Sequence, residues 1–189
     1  MDLLPHAVQE RIRFFVSFLR SPLSVGSITP SSEFLAREMV KCVPWDQVSL
    51  IVELGAGTGV FTRHIHEKKS PDAIAVIYER DDVLRAELMK KFPGLGYRDD
   101  AMNLEHDLLL TEAGAADVIL SGLPFAAFPP DRRDRMLDAV HRSLKPGGLF
   151  VMFQYSPQML GQLRKRFSRM EVSLVFSNLP PAIVYTCFK

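Results

Sequence analysis

Apolar residues recur at helical spacing in the first part of the chain. They are Val8, Ile12, Phe15, Val16 and Leu19. This spacing predicts an amphipathic helix over residues 7–20, which ends before Pro22. A second helix is predicted over residues 31–41, because Ser31 and Ser32 suit the position that caps a helix N-terminus.

From residue 48 onwards, short apolar runs alternate with amphipathic segments. The runs predict strands at residues 48–54, 73–78, 117–120 and 149–155. The segments between and after them predict helices at residues 58–67, 81–91, 132–144 and 158–167. Two final apolar runs, 171–177 and 183–188, predict an antiparallel hairpin. The alternation predicts an α/β fold, with a mainly parallel sheet, an antiparallel C-terminal edge and extra N-terminal helices.

The chain has 189 residues, which suits one domain. We expect this single domain to consist of N-terminal cover helices over residues 1–45 and an α/β core over residues 46–189. The net charge of +1 does not favour a general polyanion binder. Cys42 and Cys187 match no metal spacing, so no metal site is predicted. No apolar run is long enough to span a bilayer, and the start lacks signal-peptide features, so we expect a cytoplasmic protein.

A glycine-rich turn follows the first predicted strand of the core. Glu53 stands at the end of that strand, and Gly55, Gly57 and Gly59 open the next helix. Glycines let the backbone turn sharply and let a ligand approach the main chain. A dinucleotide-binding turn would place its third glycine at Val60. An acidic side chain before the turn suits a cationic amino group and would repel a pyrophosphate.

This arrangement resembles the class I S-adenosylmethionine (SAM)-dependent methyltransferases. The resemblance implies that the turn holds the methionine end of SAM, that an acid after the second strand accepts the ribose hydroxyls, and that an Asp-Ala pair lies near the adenine. The corresponding residues are Glu53, Gly55, Ala56, Gly57, Thr58, Gly59, Glu79, Arg80, Asp100 and Ala101. It also implies SAM as cofactor and S-adenosylhomocysteine as product. For residues 46–189 it implies a Rossmann-like core with a seven-stranded sheet.

The loop after the predicted strand 117–120, Ser121-Gly122-Leu123-Pro124-Phe125, is expected to face the methyl group. Adenine-N6 dimethylases carry Asn or Asp, any residue, Pro and an aromatic here. In this chain Gly122 replaces the Asn or Asp, so the polar contact to adenine is lost. With the near-zero net charge, this makes methylation of an RNA or DNA base the second hypothesis, and no stable nucleic-acid partner is expected.

Several motifs resemble the bacterial phospholipid N-methyltransferases of the rhizobial and agrobacterial type, over residues 18–189. They are Ser24–Ser32, Glu53–Gly59, Ser121–Pro124, Gln154–Pro157 and Asn178–Ala182. The resemblance implies SAM-dependent methylation of phosphatidylethanolamine at the membrane surface. We add Thr29, Ser121 and Leu123 to the predicted cofactor site. A small soluble amine as acceptor, or a SAM-binding protein without transfer activity, stays open.

Two segments of the chain suit contact with lipid. The predicted helix 7–20 has arginines beside a Phe-rich face, so it would lie in a bilayer interface or instead cover the SAM cleft. The basic run Arg164–Arg166, with Arg169, would meet anionic lipid or remain a solvated face. The expected partner is a phospholipid substrate, with peripheral attachment to the inner face of the cell membrane.

Methylation of an amine requires that the nitrogen has lost its proton. Burial in an apolar pocket disfavours the charged ammonium form and lowers its pKa. The hypothesis is that Phe125, Phe128 and the N-terminal helix supply this environment. Tyr155 is the predicted catalytic residue, which would hydrogen-bond the amine; the alternative is a structural tyrosine at a strand end.

Overall fold

The computed structural model describes residues 30–178 and 181–189. The predicted helix 7–20 and Thr29 lie outside this part. The helices are α1 (Pro30–Val40), α2 (Val60–Lys68), α3 (Asp82–Lys91), α4 (Leu104–Leu109), α5 (Pro130–Ser143) and α6 (Leu160–Arg164). The strands are β1 (Leu50–Leu54), β2 (Ile74–Tyr78), β3 (Gly96–Arg98), β4 (Ala116–Ser121), β5 (Leu144–Gln154), β6 (Arg169–Val175) and β7 (Ala182–Phe188).

Within the described residues, seven strands form one sheet in the order β3-β2-β1-β4-β5-β7-β6. Strands β1 to β5 pair in parallel, whereas β7 pairs antiparallel with both β5 and β6. The predicted fold class is confirmed. From β1 the chain passes to β2 on one side of the sheet, and from β4 it passes to β5 on the other side. The loops after β1 and β4 therefore leave the sheet in opposite directions. Ligands of open α/β sheets bind at the carboxyl ends of the strands at such a point.

Two hydrophobic clusters pack the faces of the sheet. One cluster joins α1, α2 and α3 to one face, and the other joins α4, α5 and α6 to the opposite face. All five residues of β1 are buried, as expected for a central parallel strand covered on both faces. Within β1, Ile51 faces the first cluster, while Leu50, Val52 and Leu54 face the second.

Several element bounds differ from the predictions. Strand β5 begins at Leu144 rather than at residue 149, because Lys145 pairs with Asp117 of β4 at 2.7 Å and holds the chain on the sheet. The predicted helix 158–167 shortens to a 3-10 turn at Pro157–Met159 followed by α6. The chain turns after α6 because Phe167 is buried, with its ring stacked on that of Phe150.

Two short elements carry little pattern of their own. Strand β3 has three residues, Gly96–Arg98, and helix α4 has six, so each is too short to repeat an amphipathic pattern twice. Tertiary contacts specify both. Tyr78 of β2 donates its hydroxyl hydrogen bond to Asp107 of α4 at 2.9 Å. No helix within residues 30–178 and 181–189 is long and apolar enough to cross a bilayer.

Candidate functional site

A cleft of about 400 Å³ opens at the carboxyl ends of β1, β2, β3 and β4. Its walls are the glycine turn after β1, the residues after β2 and β3, the loop after β4, and the first two turns of α5. The volume lies within the usual range for small-molecule sites, roughly 300–1,000 Å³. The strand ends thus bring together distant parts of the sequence, from Gly55 to Met136.

The glycine turn is fixed by backbone hydrogen bonds to β2. The amides of Gly55 and Ala56 both donate to the carbonyl oxygen of Tyr78, at 2.9 and 3.0 Å. Gly55 has φ +76°, and a Cβ there would lie 2.8 Å from Leu123 Cδ2. Gly57 has φ +55°, and a Cβ there would meet no atom within 4 Å. The turn therefore leaves open space beside its backbone at Gly57.

Glu79 links the glycine turn to the start of α3. Its Oε2 accepts a hydrogen bond from the Gly57 amide at 2.6 Å, and its Oε1 accepts one from the Asp81 amide at 2.9 Å. Glu79 and the exposed Arg80 both line the cleft. Each carboxylate oxygen has a second lone pair, so Glu79 can still accept bonds from ligand hydroxyls.

The predicted pair Asp100 and Ala101 lies on the same wall of the cleft. Asp100 Oδ1 accepts a hydrogen bond from the Met102 amide at 2.9 Å, which caps the 3-10 turn Ala101–Asn103. Asp99 also lines the cleft, although no pattern in the sequence distinguishes it from an ordinary solvated loop residue. The wall at the ends of β2 and β3 is therefore mainly acidic.

Glu53 is completely buried and does not line this cleft. The Thr62 hydroxyl donates to Glu53 Oε2 at 2.7 Å, whereas Oε1 has no hydrogen-bond partner among the residues that the structure describes. Loss of solvation on burial and, to a smaller extent, the nearby Glu79 charge raise the pKa of Glu53 to about 8, although the Thr62 hydrogen bond lowers it. Glu53 is thus held on the other side of the strand from the cleft, beside α2.

The loop after β4 presses against the glycine turn. The Gly122 amide donates to the carbonyl oxygen of Leu54 at 2.9 Å, and a Cβ on Gly122 would lie 2.7 Å from Gly55 O. Ser121 is buried, and its hydroxyl oxygen accepts a 3.2 Å hydrogen bond from the Leu123 amide. Ser121 therefore shapes the loop, whereas Leu123 itself lines the cleft.

Gln154, at the end of β5, holds the far part of this loop. Its Nε2 donates to Leu123 O at 3.1 Å, and its Oε1 accepts from the Ala126 amide at 3.3 Å. The hypothesis that Phe125 lines an acceptor pocket is not supported for this cleft. Phe125 is fully buried against Phe150, whereas Phe128 lines the cleft. The 3-10 turn at residues 125–127 causes this difference, because it turns Phe125 into the core.

Two motifs that are distant in the sequence meet at Tyr155. The Asn178 side-chain amide lies 3.5 Å from the Tyr155 hydroxyl oxygen, to which it can donate. Tyr155 packs on the hydrophobic cluster of α1, α2 and α3 and does not line the cleft described here. Burial raises the pKa of the Tyr155 phenol to about 12. This side chain therefore remains protonated at neutral pH and cannot serve as a base.

The chain matches the family model described as a methyltransferase domain over residues 51–148. The chain belongs to this family. It is also 33% identical over 180 residues to the ornithine lipid N-methyltransferase of Singulisphaera acidiphila, a match that covers 92% of this chain and 93% of that protein.

Solved structures of methyltransferases share the fold. One is the 1,6-didemethyltoxoflavin-N1-methyltransferase of Burkholderia thailandensis, with a TM-score of 0.71 and 16% identity, covering 100% of this chain and 92% of that one. Another is the N-methyltransferase NodS of Bradyrhizobium japonicum, with a TM-score of 0.72 and 12% identity, covering 92% of this chain and 97% of that one. The protein is a SAM-dependent methyltransferase.

The cleft of this methyltransferase suits the cofactor. Open space at Gly57 would accommodate a ligand against the backbone, and Glu79 offers acceptors for hydroxyl groups. Of the other residues predicted to bind the cofactor, Ala56 is buried and Thr58 is exposed. Gly59 directly precedes α2 and has φ +86°. Among the described residues, no group of three His, Cys, Asp or Glu side chains could hold a metal ion.

Helix α5 also contributes to the cleft, which was not predicted from the sequence. Arg132 and Met136, four residues apart on that helix, both line it. Their spacing places them on one helical face, but only the packing of α5 beside the loop after β4 shows which ligand site that face borders. No signal in the sequence distinguishes Arg132 from its neighbours Arg133 and Arg135.

Proposed function

We propose that this methyltransferase transfers a methyl group to the primary amine of a membrane lipid headgroup. The observation that carries the proposal is the 33% identity, over nearly the whole chain, to an ornithine lipid N-methyltransferase. The meeting of the Tyr155 and Asn178 motifs is consistent with the resemblance to the phospholipid N-methyltransferases. Phosphatidylethanolamine and an ornithine lipid are therefore the two candidate acceptors.

The geometry at Gly122 favours a lipid amine over a nucleic-acid base. A Cβ atom at this position would lie 2.7 Å from Gly55 O, which is closer than Cβ atoms approach a backbone oxygen in proteins. The Asn or Asp with which adenine methylases contact the base therefore has no space here. The cleft instead presents Leu123, Pro124 and Phe128, which are apolar.

For the cofactor, we propose that Gly55, Gly57 and Glu79 hold SAM, with Asp100 and Ala101 on the side of the adenine. When bound, SAM supplies a methyl group activated by its positively charged sulfur. The chain does not need to provide a covalent nucleophile, because the amine lone pair attacks the methyl carbon directly. Its contribution is to position the amine and exclude water.

The amine must be neutral when it reacts. The apolar walls formed by Leu123, Pro124 and Phe128 would favour the neutral amine over the ammonium ion and lower its pKa. The proton that leaves the amine passes to solvent. No described side chain in the cleft needs to act as a strong base.

Tyr155 does not line the cleft, so we propose that it helps to position the acceptor indirectly, through the contact of its hydroxyl oxygen with Asn178. Substitution Tyr155→Phe removes the hydroxyl and keeps the ring, so we expect turnover at saturating SAM to fall about tenfold, the effect of one hydrogen bond worth roughly 1.4 kcal/mol. Turnover would be measured by transfer of radiolabelled methyl groups. Unchanged turnover would assign Tyr155 a structural role only.

The test of the proposed function is transfer of radiolabelled methyl groups from SAM to total bacterial lipid and to total RNA in parallel. We expect label in the lipid fraction, in species that comigrate with methylated phosphatidylethanolamine or methylated ornithine lipid. The pattern of labelled species would identify the acceptor. Label confined to RNA would contradict the proposal.

A further inference from the structure

Arg132 places a positive charge in the cleft opposite its acidic wall. It lies in the first turn of α5, is partly buried and lines the cleft together with Phe128. Its guanidinium carbon lies 5.2 Å from the centre of the Phe128 ring. This contact fixes the guanidinium beside the ring, in keeping with the attraction of cations to aromatic faces.

None of the three acidic residues of α5 forms an ion pair with Arg132. Asp134 and Asp138 pair with Arg166, at 3.4 and 2.6 Å, and Asp131 is exposed. Within residues 30–178 and 181–189, no carboxylate lies within ion-pair distance of the Arg132 guanidinium. Arg132 is therefore a partly buried cation whose charge is not compensated by a described acidic side chain.

Guanidinium groups beside aromatic rings keep a planar edge of N–H donors. That edge matches the oxygen atoms of a phosphate or a carboxylate, with which arginine forms paired hydrogen bonds. Both candidate acceptors carry such a group near the amine: phosphatidylethanolamine has a phosphodiester, and an ornithine headgroup has the carboxylate of the amino acid.

We infer that Arg132 binds the anionic group of the acceptor lipid and thereby selects zwitterionic headgroups. The inference rests on the proposed function, which it deepens by naming the feature of the headgroup that the enzyme recognises. An anion held at Arg132 orients the headgroup within the cleft, because the amine and the anion are separated by only a few bonds. A simple alkyl amine lacks this anchor.

The experiment compares Arg132→Gln with Arg135→Gln, which removes an exposed arginine of α5 that does not line the cleft. Methyl transfer to phosphatidylethanolamine and to an ornithine lipid is measured in mixed micelles, and the Kd for SAM is measured by calorimetry. We expect Arg132→Gln to raise KM for the lipid tenfold or more, with the Kd for SAM changed less than twofold. Arg132→Lys keeps the charge but not the planar edge, and its KM should lie in between.

Each outcome has a distinct meaning. An unchanged lipid KM in Arg132→Gln overturns the inference and leaves the proposed function standing. A large rise in the Kd for SAM also overturns it, because Arg132 would then bind the cofactor. Absence of lipid methylation by the unmodified enzyme, with SAM binding intact, overturns the proposed function itself. An equal KM rise in Arg135→Gln assigns the effect to net charge and contradicts a specific anchor.

Discussion

Glu79 connects two walls of the cleft through one carboxylate. It accepts backbone hydrogen bonds from the glycine turn and from the start of α3, and it borders the space beside Gly57. A single side chain thus shapes the turn and offers acceptors to a ligand. At the scale of residues, the site depends on such double contacts rather than on an unusual reactive group.

Substitution Glu79→Gln should weaken SAM binding about 10- to 100-fold. The amide keeps one acceptor oxygen but loses the negative charge, and hydrogen bonds to charged groups contribute roughly 1.5–3 kcal/mol. Calorimetric titration with SAM would measure the change. Glu87→Gln, an exposed position on α3, is the matched control and should bind SAM normally. Equal affinities in the two variants would contradict a role for Glu79 in the cofactor site.

Glu53 makes the stability of the fold depend on pH. Burial raises its pKa from 4.5 to about 8, so the folded state holds this proton more tightly than the unfolded state. The free energy of unfolding should therefore fall as pH rises from about 4.5 to about 8, by at most about 1.4 kcal/mol per pH unit, and then level off.

Substitution Glu53→Gln should remove this dependence. Between pH 5.5 and pH 8, we expect the free energy of unfolding to fall in the unmodified protein and to fall less in the variant. Urea unfolding at both pH values would measure the two changes. If both proteins respond equally to pH over this interval, Glu53 does not change its protonation on unfolding.

At the scale of elements, the glycine turn is specified by its neighbours as much as by its own sequence. Gly59 directly precedes the first residue of α2. A Cβ at Gly59 would lie 2.5 Å from Leu88 Cδ2 and 2.9 Å from the Phe92 ring. At Gly57 the corresponding space is open. The same residue type therefore serves helix packing at Gly59 and ligand access at Gly57.

Substitution Gly59→Ala should destabilise the fold more than Gly57→Ala. A left-handed backbone costs alanine about 1–2 kcal/mol at either position, and overpacking against α3 adds about 1–3 kcal/mol at Gly59 alone. Chemical denaturation would measure both free energies of unfolding. Equal losses of stability would mean that α3 moves aside without cost.

At the scale of the whole molecule, attachment to a membrane would depend on local surfaces, because the net charge is only +1. The basic run identified in the sequence divides in the structure. Arg164 and Lys165 are exposed, whereas Arg166 is largely buried and pairs with Asp134 and Asp138. Arg166 therefore differs from the other two residues of the run, because the aspartates of α5 hold it against the fold.

Removal of residues 1–20 should lower binding to anionic liposomes, because the predicted Phe-rich helix with its arginines would be lost. Co-sedimentation with vesicles of phosphatidylglycerol and phosphatidylethanolamine would measure the change. The Kd for SAM of the shortened chain is the control for folding. Undiminished co-sedimentation would contradict an interfacial helix.

The sequence by itself determined the fold class and the positions of the main chemical groups. Parallel strands buried on both faces leave a pattern of apolar runs, and the glycine turn with Glu79 and Asp100 follows the strand ends at fixed places. These are local features, so spacing along the chain was sufficient to predict them.

Only the tertiary structure decided which side chains face the cleft. Phe125 and Phe128 have the same chemistry three residues apart, yet one packs on Phe150 and the other lines the cleft. Arg132 enters the cleft because α5 packs beside the loop after β4. Such choices depend on contacts between distant segments, for which neither composition nor periodicity carries a signal.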